Sequence, residues 1–252
     1  MPARVVVLGR HSESTYVVCN FLATIGDVSA IFEKPESRST FLKRRLKKLG
    51  AMTVAGQLGF QLLLSPWLAW RAAERIREIK QQFGLNTLPV DGIDVRSVNA
   101  DETITAIQNI RPAVIVLAGT RIVSRQFIQS VGCPLLNIHA GITPLYRGVH
   151  GAYWALVDKR ADLCGVTVHR VDAGIDTGDV LAQAVFRPDA RDNFATYRWI
   201  QLGMGLQHLA KVIPEVIRGT SQSRKPLVAE SKLRTHPTIW GYAWHRLIHK
   251  VP

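Results

Sequence analysis

Several features that would place a protein in a common class are missing from this sequence. Only three cysteines occur in 252 residues, Cys19, Cys133 and Cys164, and none belongs to a C-x-x-C pair. This spacing argues against a zinc site and against a disulfide framework, and it favours a reducing compartment. The metalloprotease pattern H-E-x-x-H is also missing. We therefore expect no metal centre.

Segments that direct a chain out of the cytoplasm or across a membrane are missing as well. Residues 1–9 lead straight into a strand-like run, without a charged region, an apolar region and a cleavage site. The longest nearly uncharged apolar stretch, residues 58–70, is interrupted by Gln61, Ser65 and Pro66. A membrane-spanning helix needs roughly 20 apolar residues. We predict a cytoplasmic protein without a single-helix membrane span.

Positive charge, by contrast, is abundant. The chain has 32 Lys and Arg against 19 Asp and Glu, a formal net charge of +13. Such a charge attracts phosphate, nucleic acid or an anionic membrane surface. The densest cluster occupies residues 43–48, and a second extends from residue 224 towards the carboxyl end. Each cluster taken alone is interpreted as a solvated face, and a nucleic-acid partner is not favoured.

The first basic cluster precedes an apolar stretch that contains Trp67 and Trp70. Basic and aromatic residues in this order are typical of peripheral docking on an anionic membrane. We therefore predict a membrane contact through residues 43–70, at the inner face of the membrane. The alternative is that the two aromatic residues pack on the domain itself or on a partner subunit.

Alternating strand-like and helix-like patterns predict an α/β fold. The strongest strand signal, residues 113–119, is a continuous β-branched run of the kind found in parallel sheets covered on both faces. We predict a mainly parallel central sheet with helices on both faces and ligands at its carboxyl edge. The first turn contains only Gly9 and no G-x-G-x-x-G pattern, so NAD or FAD binding is not favoured.

The organisation of the chain is predicted from changes in composition. Residues 1–219 are expected to form one catalytic domain. A basic, apolar and helical insertion is expected at about residues 35–84, within which Ser65 and Pro66 begin a new helix as N-cap and first-turn proline. Residues 220–252 form a basic carboxyl-terminal extension of uncertain order.

Chemistry is concentrated around one strand end. Asn137 and His139 are two residues apart in the strand-like run 135–139, so both project from one face of the sheet. Asp176 follows 37 positions after His139, in a loop between Gly174 and Gly178. One helix and one strand fill that gap, which lets the loop return to the same sheet edge. The alternatives are a satisfied buried pair and an ordinary turn aspartate.

These residues belong to a longer series of motifs. The series comprises N-I-H at 137–139, P-L-Y-R-G at 144–148, G-V-T-V-H at 165–169 and I-D-T-G at 175–178. In order and spacing it resembles the formyltransferase family that uses 10-formyltetrahydrofolate, most closely over residues 114–184 and not over residues 35–84. The resemblance implies a Rossmann-like formyltransferase fold. It also implies transfer of a formyl group from 10-formyltetrahydrofolate to a primary amine.

The resemblance assigns catalytic roles that agree with the chemistry of the side chains. Attack of a neutral amine on the formyl carbon creates an oxyanion, to which Asn137 and His139 donate hydrogen bonds. Asp176 orients His139 or an ordered water and favours the protonated imidazole. The reaction requires no metal.

Binding residues are also implied by the resemblance. The folate lies against the loop that precedes the N-I-H strand and against the loop of the catalytic acid. The predicted folate-binding residues are Gly119, Thr120, Arg121, Ile122, Val123, Asp172 and Ile175. Arg147 and His150 are predicted to face the acceptor, and the alternative for His150 is a role at a helix start.

The acceptor predicted from the resemblance is a nucleotide-linked amino sugar of surface-glycan synthesis. Methionyl-tRNA formyltransferases carry an additional carboxyl-terminal domain, for which about 30 residues are too few. The glycinamide ribonucleotide enzyme has a Gly- and Ser-rich first loop, whereas this chain has G-R-H-S-E at 9–13. The alternatives are that enzyme of purine synthesis, a 10-formyltetrahydrofolate hydrolase and a non-catalytic basic binding protein. The closing helix and the extension offer a homodimer contact.

Overall fold

The computed structural model of the chain describes residues 3–249 and 251. Residues 1 and 2 of the predicted catalytic domain and residues 250 and 252 of the predicted extension lie outside this described part. The strands are β1 (Arg4–Gly9), β2 (Asp27–Glu33), β3 (Ile93–Val95), β4 (Val114–Ala118), β5 (Leu135–His139), β6 (Arg147–Gly148), β7 (Gly165–Arg170), β8 (Val180–Val185) and β9 (Leu233–Arg234).

Ten α-helices are found in the same described part. They are α1 (Glu13–Ala23), α2 (Arg38–Leu49), α3 (Ala51–Gly59), α4 (Ser65–Arg71), α5 (Ala73–Gln82), α6 (Asp101–Ile110), α7 (Arg125–Ser130), α8 (Gly151–Val157), α9 (Phe194–Ile217) and α10 (Ile239–Ile248). A π-helical turn, Phe60–Leu64, joins α3 to α4, and a 3₁₀ turn, Ala161–Leu163, precedes β7.

The central sheet has the order β3-β2-β1-β4-β5-β7-β8. Its first five strands are parallel, and β7 and β8 are antiparallel to their neighbours. The prediction of a mainly parallel sheet is confirmed. Since the strand order reverses between β1 and β4, the loops after these two strands diverge and leave a crevice at the carboxyl edge.

Both faces of this sheet are buried, which explains its valine-rich strands. Val5 and Val7 of β1 belong to one apolar cluster, which includes residues of α1 and α9. Val6 and Leu8 belong to a second cluster on the other face, with residues of α6 and α7. Successive residues of a strand point to opposite faces, so an uninterrupted apolar run supplies both clusters.

The predicted insertion at 35–84 is helical, as expected, but its inner part belongs to the core. Ser65 and Pro66 were expected to begin a new helix after a break. Instead the chain stays helical from α3 through the π-helical turn into α4, and Ser65 makes no side-chain cap. Ile79 of α5 is fully buried, and the ring of Phe83 lies against Gly203 of α9.

The predicted extension contains β9 and the unpredicted helix α10. Tyr242 of α10 is buried, and its ring centroid lies 5.2 Å from that of Phe60 and 5.7 Å from that of Tyr153. β9 pairs with β6, and Trp154 Nε1 donates to the carbonyl of Thr235 over 3.1 Å. The described part of the extension therefore packs on the predicted catalytic domain.

Within residues 3–249 and 251, no helix combines the length and the apolar character needed to cross a membrane.

Candidate active site

The three predicted catalytic side chains lie together at the carboxyl end of β5. Nδ1 of His139 is 3.3 Å from Oδ1 of Asp176, and both side chains are mostly buried, with 5% and 13% exposure. Asn137 is connected to them through His169 of β7. Asn137 Nδ2 lies 3.2 Å from Nε2 of His169, and the same Nε2 lies 3.7 Å from Asp176 Oδ1.

Hydrogen bonds fix the orientation of the His139 ring. Nε2 of His139 lies 2.6 Å from the backbone carbonyl of Tyr146. A carbonyl can only accept, so Nε2 carries a proton and donates it. The other ring nitrogen faces the carboxylate of Asp176. This arrangement suits a ring that is protonated on both nitrogens and paired with Asp176.

His169 determines the orientation of the Asn137 amide. Nδ1 of His169 donates to the carbonyl of Arg170 over 2.7 Å, so in the neutral ring Nε2 is an acceptor. It therefore accepts one N–H of Asn137, which leaves the second N–H of that amide available to a ligand. The motif G-V-T-V-H contained this residue, but its role depends on the antiparallel register that places His169 opposite Asn137.

The carboxyl of Asp176 is strongly acidic in this setting. Burial raises its pKa, but the hydrogen bond from His139, the charge of His139 and the backbone N–H of Gly148 outweigh burial and hold the pKa well below its usual range. Gly148 N donates to Asp176 Oδ2 over 2.9 Å. Asp176 has a φ of 53°, a left-handed conformation that aspartate tolerates better than most residues.

The loop that carries Asp176 is held by its own side chains. Asp172 Oδ1 accepts the backbone N–H of Gly174 over 3.0 Å and the hydroxyl of Thr177 over 2.8 Å. Arg147 Nη1 donates to the carbonyl of Ile175 over 3.3 Å. Of the predicted binding residues, Asp172, Ile175 and Arg147 therefore hold the loop that carries Asp176 in this structure.

The loop after β4 is anchored by a buried carboxylate. The Glu33 side chain is fully buried and forms ion pairs with Arg121, over 2.9 Å, and with Arg10, over 3.2 Å. Glu33 also accepts the backbone N–H of Arg121 over 2.6 Å. The side chain of Arg121 thus points away from Asp176. Ile122, in contrast, is 63% exposed at the edge of the same loop.

The other predicted folate residues in this loop differ in exposure. Gly119 is exposed and has a φ of 76°, with open space where a Cβ would lie. Thr120 is half-buried, and Val123 is buried.

His150 lies at the start of α8, in the left-handed region with a φ of 60°. Its Nε2 is 2.9 Å from Nδ1 of His236, which precedes α10. Burial, reinforced by the charge of His236, lowers the pKa of His150 to about 3, and burial lowers the pKa of His236 to about 4. Both rings are therefore neutral at physiological pH. The structure thus places His150 at a helix start, and its contact with the acceptor stays a prediction.

Two cavities reach the carboxyl end of β5. The first, about 400 Å³, lies at the strand-order reversal and is lined by residues 12–14 at the start of α1 and by Gly119. The second, about 280 Å³, is lined by Ser65, Pro66 and Ala69 around α4 and by His150. Ala140, Arg198 and Gln201 line both, and Ala140 follows His139 directly in the chain. Asp176 lines a third cavity, of about 200 Å³, with Thr143, Pro144 and Thr177.

No group of three metal-ligating side chains is found among residues 3–249 and 251. His245 and His249 of the α10 region have the i, i+4 spacing of a helical metal pair. Nδ1 of His245, however, is 2.7 Å from the hydroxyl of Tyr153.

Comparison with known proteins assigns the family. The profile described as formyl transferase matches residues 70–199, just over half of the chain. The chain belongs to the formyl transferase family. The match begins inside α4, so α5 is part of the family domain, although no resemblance was expected between residues 35 and 84.

A curated relative, the methionyl-tRNA formyltransferase of Syntrophomonas wolfei, is 27% identical over 150 residues. The matched region covers 59% of this chain and 46% of that protein. The chain spans about half the length of the curated relatives that it matches.

Solved structures support the fold. The glycinamide ribonucleotide transformylase 1 of Symbiobacterium toebii is 18% identical, with a TM-score of 0.57 over 92% of each chain. The N-formyltransferase of Helicobacter canadensis, solved with folinic acid and dTDP-3-aminofucose, is 16% identical, with a TM-score of 0.55 over 91% of this chain and 70% of that one. At these identities the likeness concerns the fold alone.

Proposed function

We propose that this protein transfers a formyl group from 10-formyltetrahydrofolate to a primary amine. The observation that carries the proposal is the cluster of Asn137, His139 and Asp176 at the end of β5, in a chain of the formyl transferase family. The cluster combines amide and imidazole donors with a carboxylate that stays ionised.

When bound, 10-formyltetrahydrofolate supplies the formyl carbon to which the acceptor amine adds. The free N–H of Asn137 donates to the formyl oxygen as that oxygen gains negative charge, and the His139 imidazolium, balanced by Asp176, stabilises the same charge. His169 holds the Asn137 amide in the donating orientation. A proton of the attacking nitrogen must reach the departing folate nitrogen. Asp176 positions a water for that transfer, because Asp176 and the Tyr146 carbonyl already engage both nitrogens of His139.

The residues predicted to hold the folate fit this role through the backbone. Gly119 leaves open space beside the loop after β4, so a flat ring can approach the main chain there. The exposed side chain of Ile122 offers an apolar cover for that ring. The anchoring of Arg121 by Glu33 keeps the loop in place. These assignments remain predictions.

The acceptor we propose is a nucleotide-linked amino sugar of surface-glycan synthesis. A fold neighbour was solved with a dTDP-amino sugar and folinic acid, and the two cavities that share Ala140 provide a site for an extended acceptor. The curated relatives named methionyl-tRNA formyltransferase make methionyl-tRNA the competing candidate for the acceptor. We further propose one catalytic domain over residues 1–219 and a cytoplasmic enzyme that contacts an anionic membrane surface through residues 43–70.

The test is turnover of 10-formyltetrahydrofolate with a panel of acceptors: dTDP-linked 3- and 4-amino sugars, glycinamide ribonucleotide, methionyl-tRNA and no acceptor. We expect turnover to require one amino sugar. Turnover without an acceptor would indicate a hydrolase, and turnover only with methionyl-tRNA or glycinamide ribonucleotide would replace the proposed acceptor. No turnover with any acceptor would contradict the proposal.

Variants separate the roles of the cluster. We expect Asn137→Ala to lower kcat about 10²- to 10³-fold, as for the loss of one oxyanion donor. His169→Phe should lower kcat by about 10- to 100-fold, because the Asn137 amide loses only its orientation. His208→Ala, which changes a histidine outside both cavities, is the control and should retain turnover.

A further inference from the structure

The tryptophans of this chain are distributed unusually. Four of the six, Trp67, Trp70, Trp240 and Trp244, are at least 46% exposed. Single exposed apolar residues are common on protein surfaces, but clustered exposed aromatic residues mark an interaction surface. All four lie on α4 and α10.

The exposed apolar residues of α10 form one stripe. Trp240, Trp244, Leu247 and Ile248 are exposed, and their spacing of 4, 7 and 8 positions from Trp240 places them on one side of a helix. Tyr242, on the other side, is buried against Phe60. The helix is thus apolar on both sides, and its outward stripe is left uncovered in the described chain.

A matching stripe runs from the end of the π-helical turn along α4. Leu63, Trp67 and Trp70 are exposed and lie 4 and 7 positions apart, which again places them on one side of the helix. Pro66 and Ala69, on another side, line the cavity that reaches Ala140 beside His139. One helix therefore separates the catalytic cavity from the exposed stripe.

The two stripes lie on neighbouring elements. The ring of Trp240 packs on Gly56 of α3, where an added Cβ would come within 2.4 Å of it. Trp67 of α4 and Arg246 of α10 line the same surface groove. Its other side carries Glu74, Glu78 and Asp192, of which the last two pair with Arg75. The basic helix α2 joins this group, because Arg45 contacts Gln57 of α3, and Gln57 Nε2 donates to the carbonyl of His236 over 2.7 Å.

These elements carry positive charge and no negative charge. Residues 38–71 contain seven Lys and Arg, residues 231–249 contain three, and neither range contains Asp or Glu. A surface that combines exposed tryptophan and leucine with basic residues suits the interface of an anionic bilayer, where aromatic rings lie at the headgroup level.

We infer that α4 and α10, flanked by α2, dock the protein on an anionic lipid bilayer. The inference rests on the membrane contact proposed above for residues 43–70, and it adds α10 as the second half of the surface. A second copy of the chain fits less well, since a twofold interface would bring the same basic elements together. Nucleic acid fits less well because Leu63, Leu247 and Ile248 cannot stack on bases.

The test is co-sedimentation of the full chain with phosphatidylcholine vesicles and with vesicles that also contain phosphatidylglycerol. We expect binding to the anionic vesicles, weakened by salt. Leu247→Glu and Trp70→Glu should each weaken binding at least about tenfold. Point variants are preferred to a deletion of α2–α5, because Phe60, Leu68 and Ile79 belong to the core.

The matched control is Leu88→Glu, which introduces the same charge at a leucine that is 66% exposed, against 77% for Leu247. It should bind like the unchanged protein. If Leu88→Glu and Leu247→Glu lose vesicle binding equally, the loss comes from the change in net charge alone, and the inference is overturned. Absence of vesicle binding by the unchanged protein would also overturn it, and so would a dimer in solution that Leu247→Glu dissociates.

Catalysis and docking fail separately in this design. Asn137→Ala should bind anionic vesicles like the unchanged protein while its formyl transfer is lost. If turnover is absent in every protein but vesicle binding depends on Leu247 and Trp70, the docking surface stands and the proposed activity falls.

Discussion

The pair formed by His150 and His236 makes the fold sensitive to acid. Both imidazoles are neutral in the folded chain, with pKa values of about 3 and about 4 against an ordinary value of 6.5. A histidine pKa that is lowered by folding means that the unfolded chain takes up protons first. The free energy of unfolding is therefore complete above pH 6.5 and falls as the pH drops from 6.5 towards 4.

We expect the loss between pH 7 and pH 5 to reach at most about 2 kcal/mol for each imidazole. Urea unfolding measured at pH 7, 6 and 5 tests this expectation. In His236→Gln one of the two groups no longer titrates, so the fall in stability with pH should be shallower. An identical pH dependence in the variant and the unchanged protein would contradict the role of the pair.

At the same scale, the sequence identified the side chains of the cluster but not all of their partners. Asn137, His139 and Asp176 were found because strand periodicity and a glycine-flanked loop are local signals. The role of His169 was missed, since its contact with Asn137 depends on the antiparallel pairing of β5 and β7. The partner of Arg121 was missed because Glu33 lies 88 positions away.

Among the elements, the turn after β5 leaves no room for a side chain at Gly141. A Cβ added to Gly141 would lie 2.6 Å from the carbonyl oxygen of Tyr146 and 2.9 Å from Nε2 of His139. It would also lie 3.1 Å from the Cα of Gly151. The hydroxyl of Thr167 fixes the same turn by donating to the carbonyl of Gly141 over 2.8 Å. The turn therefore holds the His139 ring and its hydrogen-bond acceptor in place.

We expect Gly141→Ala to displace the ring of His139 or the carbonyl of Tyr146, at a cost of about 1–3 kcal/mol in stability. Formyl transfer should fall at least about tenfold, because the catalytic donor is misplaced. Gly59→Ala is the matched control, since a Cβ there meets its nearest neighbour, Ile239, at 3.5 Å. Turnover and thermal unfolding of both variants decide the matter, and an active Gly141→Ala would refute the argument.

Element boundaries followed local patterns where those were strong. β1, Arg4–Gly9, and β5, Leu135–His139, have the bounds that were predicted. The π-helical turn and α10 were not predicted. At the π-helical turn, the pair Ser65-Pro66 was interpreted as the start of a new helix. The segment that forms α10 was interpreted as a basic tail, because the contact of Tyr242 with Phe60 joins residues 182 positions apart and leaves no local signal.

For the whole molecule, the contacts between the extension and the sheet domain predict one cooperative unit. The pairing of β6 with β9, the Tyr153–His245 contact and the buried Tyr242 all cross that boundary. We expect urea unfolding followed by tryptophan fluorescence and by far-ultraviolet circular dichroism to coincide in a single transition.

Two substitutions on α10 refine this expectation. Tyr242→Ala should lower the free energy of unfolding by about 3–5 kcal/mol, because it empties a buried aromatic site. Trp244→Ala, on the exposed side of the same helix, should change it by less than about 0.5 kcal/mol. Two separate transitions in the unchanged protein would instead establish the extension as an independent unit.

Much of the cavity walls comes from parts of the chain other than the stretch that carries the predicted catalytic side chains. Asn137, His139, His169 and Asp176 occupy one stretch of 40 residues, which supplies only Ile138, Ala140, His150 and Tyr153 to the walls of the first two cavities. The start of α1, α4 and the start of α9 supply much of the rest. Substitutions that reshape the pocket for a new amine therefore need not touch the reacting groups. Such a chain is a favourable starting point for directed evolution of acceptor preference, with residues 137–176 held constant as libraries explore 12–14, 65–69 and 194–201.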